Sequence, residues 1–297
     1  MQESGGIFFA PFFLNFRLFL PMIDDQMILQ AALADDSPFA GLPKADIEMG
    51  VLLANTIQTA SWDLALEIAP RVSDAFLAAS AHGPHDALSA ALFARAGDLV
   101  AALAPRFPLD RVDDNGDTHL LLASTYFGDA IPLLLPRSDP KHANSDGMTA
   151  LMNAAASRAP NAVRLLIPVS DVEARDSNGM TALMWAAGEG EPELAEILPH
   201  ADALATDKEG MTALMHAANA GRPGCVAMLI PVSDVLARET VKGFTALDFA
   251  TKMHPLRRQT INALSEAMAS AERAELALAV APTSGELPAP RKGPRAL

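Results

Sequence analysis

The sequence predicts an all-α-dominated solenoid, built from helix-turn-helix units that are linked by β-hairpin-like turns. The main evidence is a six-residue string, Gly-Met-Thr-Ala-Leu-Met, which starts at Gly147, Gly179 and Gly210, at steps of 32 and 31 residues. Diverged copies begin at Gly116 and Gly243. A fixed period of this length is typical of stacked supersecondary units, so the chain is expected to grow in one dimension instead of around one core.

Each repeat carries the signals for a turn and two short helices. The glycine suits a turn with positive φ, and the threonine two residues later is placed to cap the first helix. Paired alanines then allow neighbouring helices to approach closely, and a proline opens the second helix, where its missing N–H costs nothing. These positions are occupied by Thr149, Thr181, Thr212 and Thr245 (caps), by Ala154 and Ala155, Ala186 and Ala187, and Ala217 and Ala218 (pairs), and by Pro160, Pro192 and Pro223.

The repeat resembles the ankyrin repeat, whose signature is a glycine turn followed by Thr-Pro-Leu-His-x-Ala over about 33 residues. Here Thr-Ala-Leu-Met replaces Thr-Pro-Leu-His, so Met152, Met184 and Met215 stand where the family has histidine. The second helix also ends on proline instead of the family's glycine cap. The tetratricopeptide repeat fits less well, because it lacks the glycine-threonine turn. The resemblance covers about residues 113–264 and implies an ankyrin-repeat solenoid that binds a protein.

Four regions are expected along the chain. They are an apolar N-terminal segment (1–21), a helical region with degenerate ankyrin-like units (22–112), the ankyrin repeats (113–270), and the end of a trailing helix with a flexible proline-rich tail (271–297). The second region is interpreted as repeat-like because Pro105 precedes Pro136 by 31 residues, which is one repeat period.

The apolar segment Ile7–Leu20 admits three interpretations. It is too short to span a bilayer and is interrupted by polar residues and a proline. It is a mis-assigned start ahead of Met22 or Met27, an atypical targeting or membrane-surface segment, or a cover for the apolar end of the stack.

Charge and cysteine content restrict the partners and the compartment. The formal net charge is −14, and the excess lies on residues 22–264. An acidic body repels phosphate backbones, so nucleic acid is not an expected partner. The single cysteine, Cys225, excludes an intramolecular disulfide framework and is interpreted as a packed thiol. We predict a cytoplasmic monomer, in contact with membrane only if Ile7–Leu20 provides it.

The sequence contains no arrangement typical of an enzyme. It has no Gly-x-Ser-x-Gly elbow, no phosphate-binding glycine-rich loop and no His-Glu-x-x-His motif. His82, His85 and Asp86 are a weak candidate metal site, because a Gly-Pro pair places the histidines in a loop without a third nitrogen ligand. His216 is interpreted as a packing histidine in a repeat helix. We expect no catalytic residue, no metal and no cofactor.

Candidate partner-binding residues follow from the family resemblance. In the ankyrin family partners are contacted by hairpin tips and inner helices, and the residue after the turn glycine is one such position. In this chain the resemblance assigns to the interface Met148, Met180, Met211 and Phe244, with a polar rim of Ser145, Asp146, Ser177, Asn178, Lys208 and Glu209. Flexible methionines suit adaptable contacts. An equal alternative is that they record recent duplication or pack against neighbouring turns. Trp185 would suit a binding hot spot if it were exposed, but the family has an apolar packing residue at this position, so Trp185 is expected in the core.

The expected function is that of a non-catalytic protein-protein interaction module or scaffold, which binds a partner of unknown identity through the concave face of the ankyrin stack. Two alternatives stay open. The first is a membrane-associated or exported ankyrin protein that uses Ile7–Leu20 for delivery. The second is an enzyme within residues 22–112.

Overall fold

The computed structural model describes residues 41–80, 86–253 and 258–280. The chain divides into two compact units, Met1–Asp171 and Val172–Leu297. The expectations for Ile7–Leu20, for a start at Met22 or Met27, for His82 and His85, and for the tail from residue 281 fall outside the described residues.

The first unit is a series of short helices. Those described are α1 (Lys44–Gln58), α2 (Trp62–Ile68), α3 (Asp74–Ser80), α4 (Ala87–Phe93), α5 (Gly97–Leu103), α6 (His119–Tyr126), α7 (Ile131–Leu134), α8 (Ala150–Ala156) and α9 (Pro160–Leu166). Helices α1, α4, α6 and α8 pack side by side, α1 on α4, α4 on α6 and α6 on α8. Each second helix packs on the first helix of its own repeat, as α9 does on α8.

The second unit repeats the same construction. It contains α10 (Ala182–Glu189), α11 (Glu191–Ile197), α12 (Ala213–Asn219), α13 (Pro223–Leu229), α14 (Ala246–Met253) and α15 (Arg258–Val280). The first helices α10, α12 and α14 pack in that order, and α15 lies against α13 and α14. An isolated antiparallel bridge between Thr206 and Thr212 closes the hairpin before α12, and Ala143 and Thr149 form the corresponding bridge in the first unit.

The predicted turn and cap signals are found at the repeat starts. Gly116, Gly147, Gly179, Gly210 and Gly243 all have φ between 70° and 80°. The hydroxyls of four threonines then accept the backbone N–H of the residue three positions on, at 3.3–3.4 Å; these are Thr118, Thr149, Thr212 and Thr245. Thr181 has the same extended backbone but makes no side-chain cap bond. The cap prediction is therefore wrong at this one repeat, where the backbone geometry survives without the hydroxyl.

The methionines that replace the family's histidine are core residues. Met152, Met184 and Met215 are at most 1% exposed. They lie two and three residues before the alanine pairs, which are fully buried. An unbranched thioether side chain fills irregular space between closely packed helices. The substitution therefore exchanges a polar residue for core packing without loss of the helix pair.

The second helices end in a proline-containing 3-10 turn at several repeats. These turns are Ala69–Arg71, Ala104–Arg106, Leu135–Arg137, Leu198–His200 and Ile230–Val232. Proline fits there because it occupies one of the first two positions, where an N–H has no helical partner.

The link between the two helices of a repeat adopts left-handed backbone at four positions. They are Ala60 (φ 55°), Arg95 (φ 56°), Arg158 (φ 57°) and Gly221 (φ 64°). A residue with a Cβ pays about 1–2 kcal/mol for this conformation, whereas glycine does not. Three of these four links, those with alanine or arginine, therefore carry local backbone strain.

Replacing Arg95 by glycine should stabilise the first unit. Relief of the left-handed strain outweighs the added flexibility of the unfolded chain, so Arg95→Gly should raise the free energy of unfolding by roughly 0.5–1 kcal/mol. Urea denaturation followed by circular dichroism measures the effect. The control is Ala94→Gly, at the neighbouring residue with φ −79°, where glycine should lower stability. Equal shifts in both variants would contradict the strain argument.

The Cys225 thiol should be nearly inert in the folded protein. Cys225 is fully buried on α13, and burial, with the nearby charge of Glu191, raises the pKa of its thiol to about 11. Because only the thiolate reacts, alkylation at pH 8 should be roughly a hundredfold slower in native than in urea-unfolded protein. Cys225 is the only cysteine of the chain, so the rate reports this site alone. Similar rates in the two states would refute its burial.

Candidate functional site

Four hairpin turns are held by a side-chain acceptor that lies three residues before the turn glycine. Oδ1 of Asn144 accepts hydrogen bonds from the backbone N–H groups of Asp146 (3.0 Å) and Met148 (2.9 Å). The same two bonds, to N–H groups two and four positions on, are made at 2.8–2.9 Å by Asp113, Asp176 and Asp207. Such local bonds satisfy N–H groups that the turn leaves without backbone partners. Each tip is therefore shaped by its own repeat.

The last hairpin uses a longer acceptor for a longer turn. Glu239 lies four residues before Gly243, and its carboxylate accepts N–H groups from Val241 (2.5 Å), Lys242 (2.7 Å) and Phe244 (3.1 Å). Burial raises the pKa of Glu239, but these three bonds outweigh burial and hold the pKa below its ordinary value. The carboxylate thus stays charged and committed to the backbone.

Sequence reasoning missed these acceptors, although a signal for them is present. Asp or Asn stands three residues before four of the repeating glycines. The pattern Asx-x-x-Gly is typical of a side chain that bonds its own turn. The Gly-Met-Thr-Ala-Leu-Met string begins three residues after this position and does not include it.

In two repeats of the second unit, the acceptor also bonds the first helix. Trp185 donates its indole N–H to Oδ2 of Asp176 at 3.1 Å, and Nε2 of His216 lies 2.9 Å from Oδ2 of Asp207. Both residues are half-buried, so Trp185 lies at the edge of the core instead of fully within it. Its polar atom is needed at the turn, which holds the ring at the edge of the core. His216 packs as expected and has a hydrogen-bond partner.

Neighbouring tips of the second unit are joined by backbone hydrogen bonds. The N–H of Lys208 donates to the carbonyl of Asn178 (3.0 Å), and the N–H of Thr240 donates to the carbonyl of Glu209 (2.8 Å). The turns approach so closely that a Cβ at Gly210 would lie 2.7 Å from Cγ2 of Thr240. Glycine is thus required here for space as well as for φ. The three tips form one hydrogen-bonded row.

The first unit contains the same link between its two tips. The N–H of Ser145 donates to the carbonyl of Asn115 (2.9 Å), and Nδ2 of Asn144 donates to Oδ1 of Asp117 (2.8 Å). Burial raises the pKa of Asp117 by more than the bond from Asn144 lowers it. A Cβ at Gly116 would lie 3.0 Å from the Ser145 nitrogen. These two tips are therefore also fixed relative to each other.

The predicted site residues differ in exposure. The six polar rim residues are all exposed, namely Ser145, Asp146, Ser177, Asn178, Lys208 and Glu209. Met148, Met180 and Phe244 are half-buried behind the tips, whereas Met211 is only 7% exposed. Met211 therefore offers little surface to a partner, and its burial is also what the alternative interpretation, packing against neighbouring turns, would give. The polar tips are thus the most accessible part of the candidate site.

The Asp86 carboxylate makes structural hydrogen bonds. Oδ1 accepts the N–H of Ser89 at 2.7 Å and so caps α4, and Oδ2 lies 2.9 Å from Nε2 of His119. Both side chains are at most 4% exposed. Within the described ranges, no three histidine, cysteine or acidic residues are placed to hold a metal ion. Sequence reasoning missed this pair, because its members belong to successive repeats.

Removal of the Asp207 carboxylate should destabilise the second unit. Asp207→Ala leaves two turn N–H groups and His216 without their acceptor, at a cost of about 1–3 kcal/mol. Asp207→Asn is the matched variant, because Asn144 makes the same turn bonds naturally. It should cost less in urea denaturation. Equal losses in the two variants would show that the turn bonds contribute little.

The stability of the second unit should also fall in acid through Asp207. Burial raises the pKa of this carboxyl, but bonds from His216, Met211 and Glu209 outweigh burial and lower it from 3.8. A lowered folded-state pKa stabilises the fold above the unfolded pKa, and this contribution is lost as pH falls through the folded value. The wild type should therefore lose stability below about pH 4, and Asp207→Asn should lose less over that range. Parallel pH profiles would contradict the assignment.

Comparison with known proteins supports the repeat assignment. A family model described as ankyrin repeats (3 copies) matches residues 120–207 and 190–273. No curated protein matches the sequence significantly. None of the helices in the described ranges combines the length and apolar character needed to cross a membrane. Since the family match covers just over half of the chain, and the same residues form the helix pairs and hairpins described above, the chain belongs to the ankyrin repeat family, and its fold class is confirmed as an all-α-dominated ankyrin-repeat solenoid.

Proposed function

We propose that the chain is a non-catalytic interaction protein that binds a partner protein through its hairpin tips and the first helices of its repeats. Ankyrin repeats are protein-protein interaction modules in general, and the family is typically non-catalytic. The observation that carries the proposal is the row of three exposed tips in the second unit, each held by its own acceptor and bonded to its neighbour in that unit. The buried Cys225 thiol supports a reducing compartment such as the cytoplasm.

Rigid tips favour binding because little entropy is lost when a partner docks. Ordering of flexible side chains and loops at an interface costs free energy that reduces affinity. In the second unit the backbone of each tip is fixed before binding, so Ser177, Asn178, Lys208 and Glu209 are displayed at set positions. The half-buried Met180 adds an apolar surface behind them. Ser145, Asp146 and Met148 are proposed to act likewise in the first unit, and Phe244 at the last repeat.

Arginines placed on two tips of the second unit test the proposal. Asn178 and Glu209 are exposed, and only their backbone carbonyls bond the next tip. Asn178→Arg with Glu209→Arg should therefore leave the melting temperature unchanged but block docking. The immobilised chain is used to capture partners from the native cell lysate, and the affinity of the identified partner is then measured by calorimetry. We expect a loss of at least about tenfold.

The matched control places two arginines on the second helices instead. Ala195 on α11 and Ala227 on α13 are exposed and lie away from the hairpin turns. Ala195→Arg with Ala227→Arg should bind the partner as the wild type does. If the tip variant also binds with wild-type affinity, or if the helix variant loses binding instead, the proposed surface is wrong.

A further inference from the structure

The hairpin tip of the last repeat differs in chemistry from the other tips of its unit. It has one more residue than the tips at Ser177–Asn178 and Lys208–Glu209. Its outermost residues are Val241, which is 65% exposed, and Lys242, which is also exposed. An exposed valine on a tightly bonded turn contributes nothing to the core. This tip therefore combines apolar surface with positive charge, where the other tips are polar.

Cations surround an aromatic ring next to this tip. The Nζ of Lys252, on α14, lies 3.4 Å from the centroid of the Phe244 ring, and the Nζ of Lys242 lies 5.7 Å from it. Phe249 fixes the ring from the core side in an edge-to-face contact at 5.8 Å. Cation-π contacts of this kind hold a lysine side chain in place while its ammonium remains solvated. Both ammonium groups are thereby positioned over a half-buried apolar surface.

The two acids of this repeat neutralise only part of that charge, and both are bonded to their own turn or helix start. Glu239 is committed to the turn N–H groups. Asp248 accepts the N–H and hydroxyl of Thr245, and these bonds, with the charges of Lys252 and Arg238, lower its pKa. Two carboxylates, of which only that of Asp248 is half-exposed, thus stand among three bases, so one positive charge is left in excess. Within the described ranges, none of those bases forms an ion pair with a carboxylate. A basic patch remains on a chain whose net charge is −14.

We propose that this basic tip, formed by Arg238, Val241, Lys242, Phe244 and Lys252, binds an acidic segment of a partner protein that also carries apolar side chains. The inference rests on the proposed function and adds the chemistry of the partner. Carboxylates of the partner meet the three cations, and an apolar side chain covers Val241 and the Phe244 ring. Phosphate backbones fit less well, since the surrounding acidic body repels them and they offer nothing to the valine.

A designed peptide tests the inference directly. A short fluorescein-labelled peptide that alternates glutamate and leucine is titrated with the full chain, and binding is followed by fluorescence anisotropy. The comparison peptide has glutamine in place of glutamate. We expect saturable binding of the glutamate peptide that weakens with added salt, and at least about tenfold weaker binding of the glutamine peptide. Equal binding of the two peptides, or no saturable binding of the first, overturns the inference.

Charge-matched variants locate the binding. The double variant Lys242→Glu with Lys252→Glu should bind the glutamate peptide at least about tenfold more weakly, and its melting temperature should not change. Lys44→Glu with Lys141→Glu alters the net charge equally at two exposed lysines of the first unit and should leave affinity within about twofold. Val241→Ser should weaken binding about threefold without a change of charge. If both pairs of lysine substitutions weaken peptide binding equally, the effect is one of net charge, and the proposed site is wrong.

Two further outcomes separate this inference from its alternatives. In the first, the chain binds single-stranded oligothymidine or phosphatidylserine vesicles more tightly than the peptide, and the double variant Lys242→Glu with Lys252→Glu loses that binding. This result would assign the patch to a phosphate ligand and overturn the inference. In the second, the variant Asn178→Arg with Glu209→Arg loses binding of the native partner, but Lys242→Glu with Lys252→Glu keeps it. The proposed function then stands and this inference fails.

Discussion

One hydrogen-bond acceptor in each hairpin determines where the tip of the repeat is held. The acceptors are the side chains of Asp113, Asn144, Asp176, Asp207 and Glu239. A turn with a left-handed glycine leaves several N–H groups without backbone partners, and the acceptor satisfies two or three of them at once. The first helix begins three residues after that glycine. A fixed turn therefore also fixes the start of the helix and the height of the tip above it.

The parts of the fold that depend on local chemistry could be predicted from the sequence. Glycine turns, threonine caps and helix-opening prolines each act within a few residues, and the repeated string marks them clearly. Apart from the turn acceptors, which are local and were overlooked, the unpredicted contacts named here join residues about one repeat apart, such as the pair of Asp86 and His119 and the bond from Lys208 to Asn178. The exposure of the candidate site could be predicted only in part. The exposed polar tips follow from the turn pattern, whereas the burial of Met211 depends on its neighbours in space.

In two repeats of the second unit, the residue after the methionine that replaces the family's histidine makes a polar contact with the turn. Met184 and Met215 are buried between helices, and the residues that follow them, Trp185 and His216, bond the turn acceptor of their own repeat. The helix thus keeps a polar connection to the hairpin while its inner face becomes fully apolar. A cross-link of this kind is internal to the repeat, so its side-chain partner does not depend on the next repeat in the stack.

Glu239 shows how the length of a tip can change while the helices stay in place. The last turn is one residue longer than the others, and its acceptor is longer by one methylene than the aspartates that serve the shorter turns. Both changes together preserve the bonds to the backbone and the left-handed glycine before the helix. Loop length and acceptor length are therefore coupled variables. An engineer who pairs a one-residue insertion with an aspartate-to-glutamate exchange can enlarge the displayed surface of one repeat and leave the rest of the stack as it is.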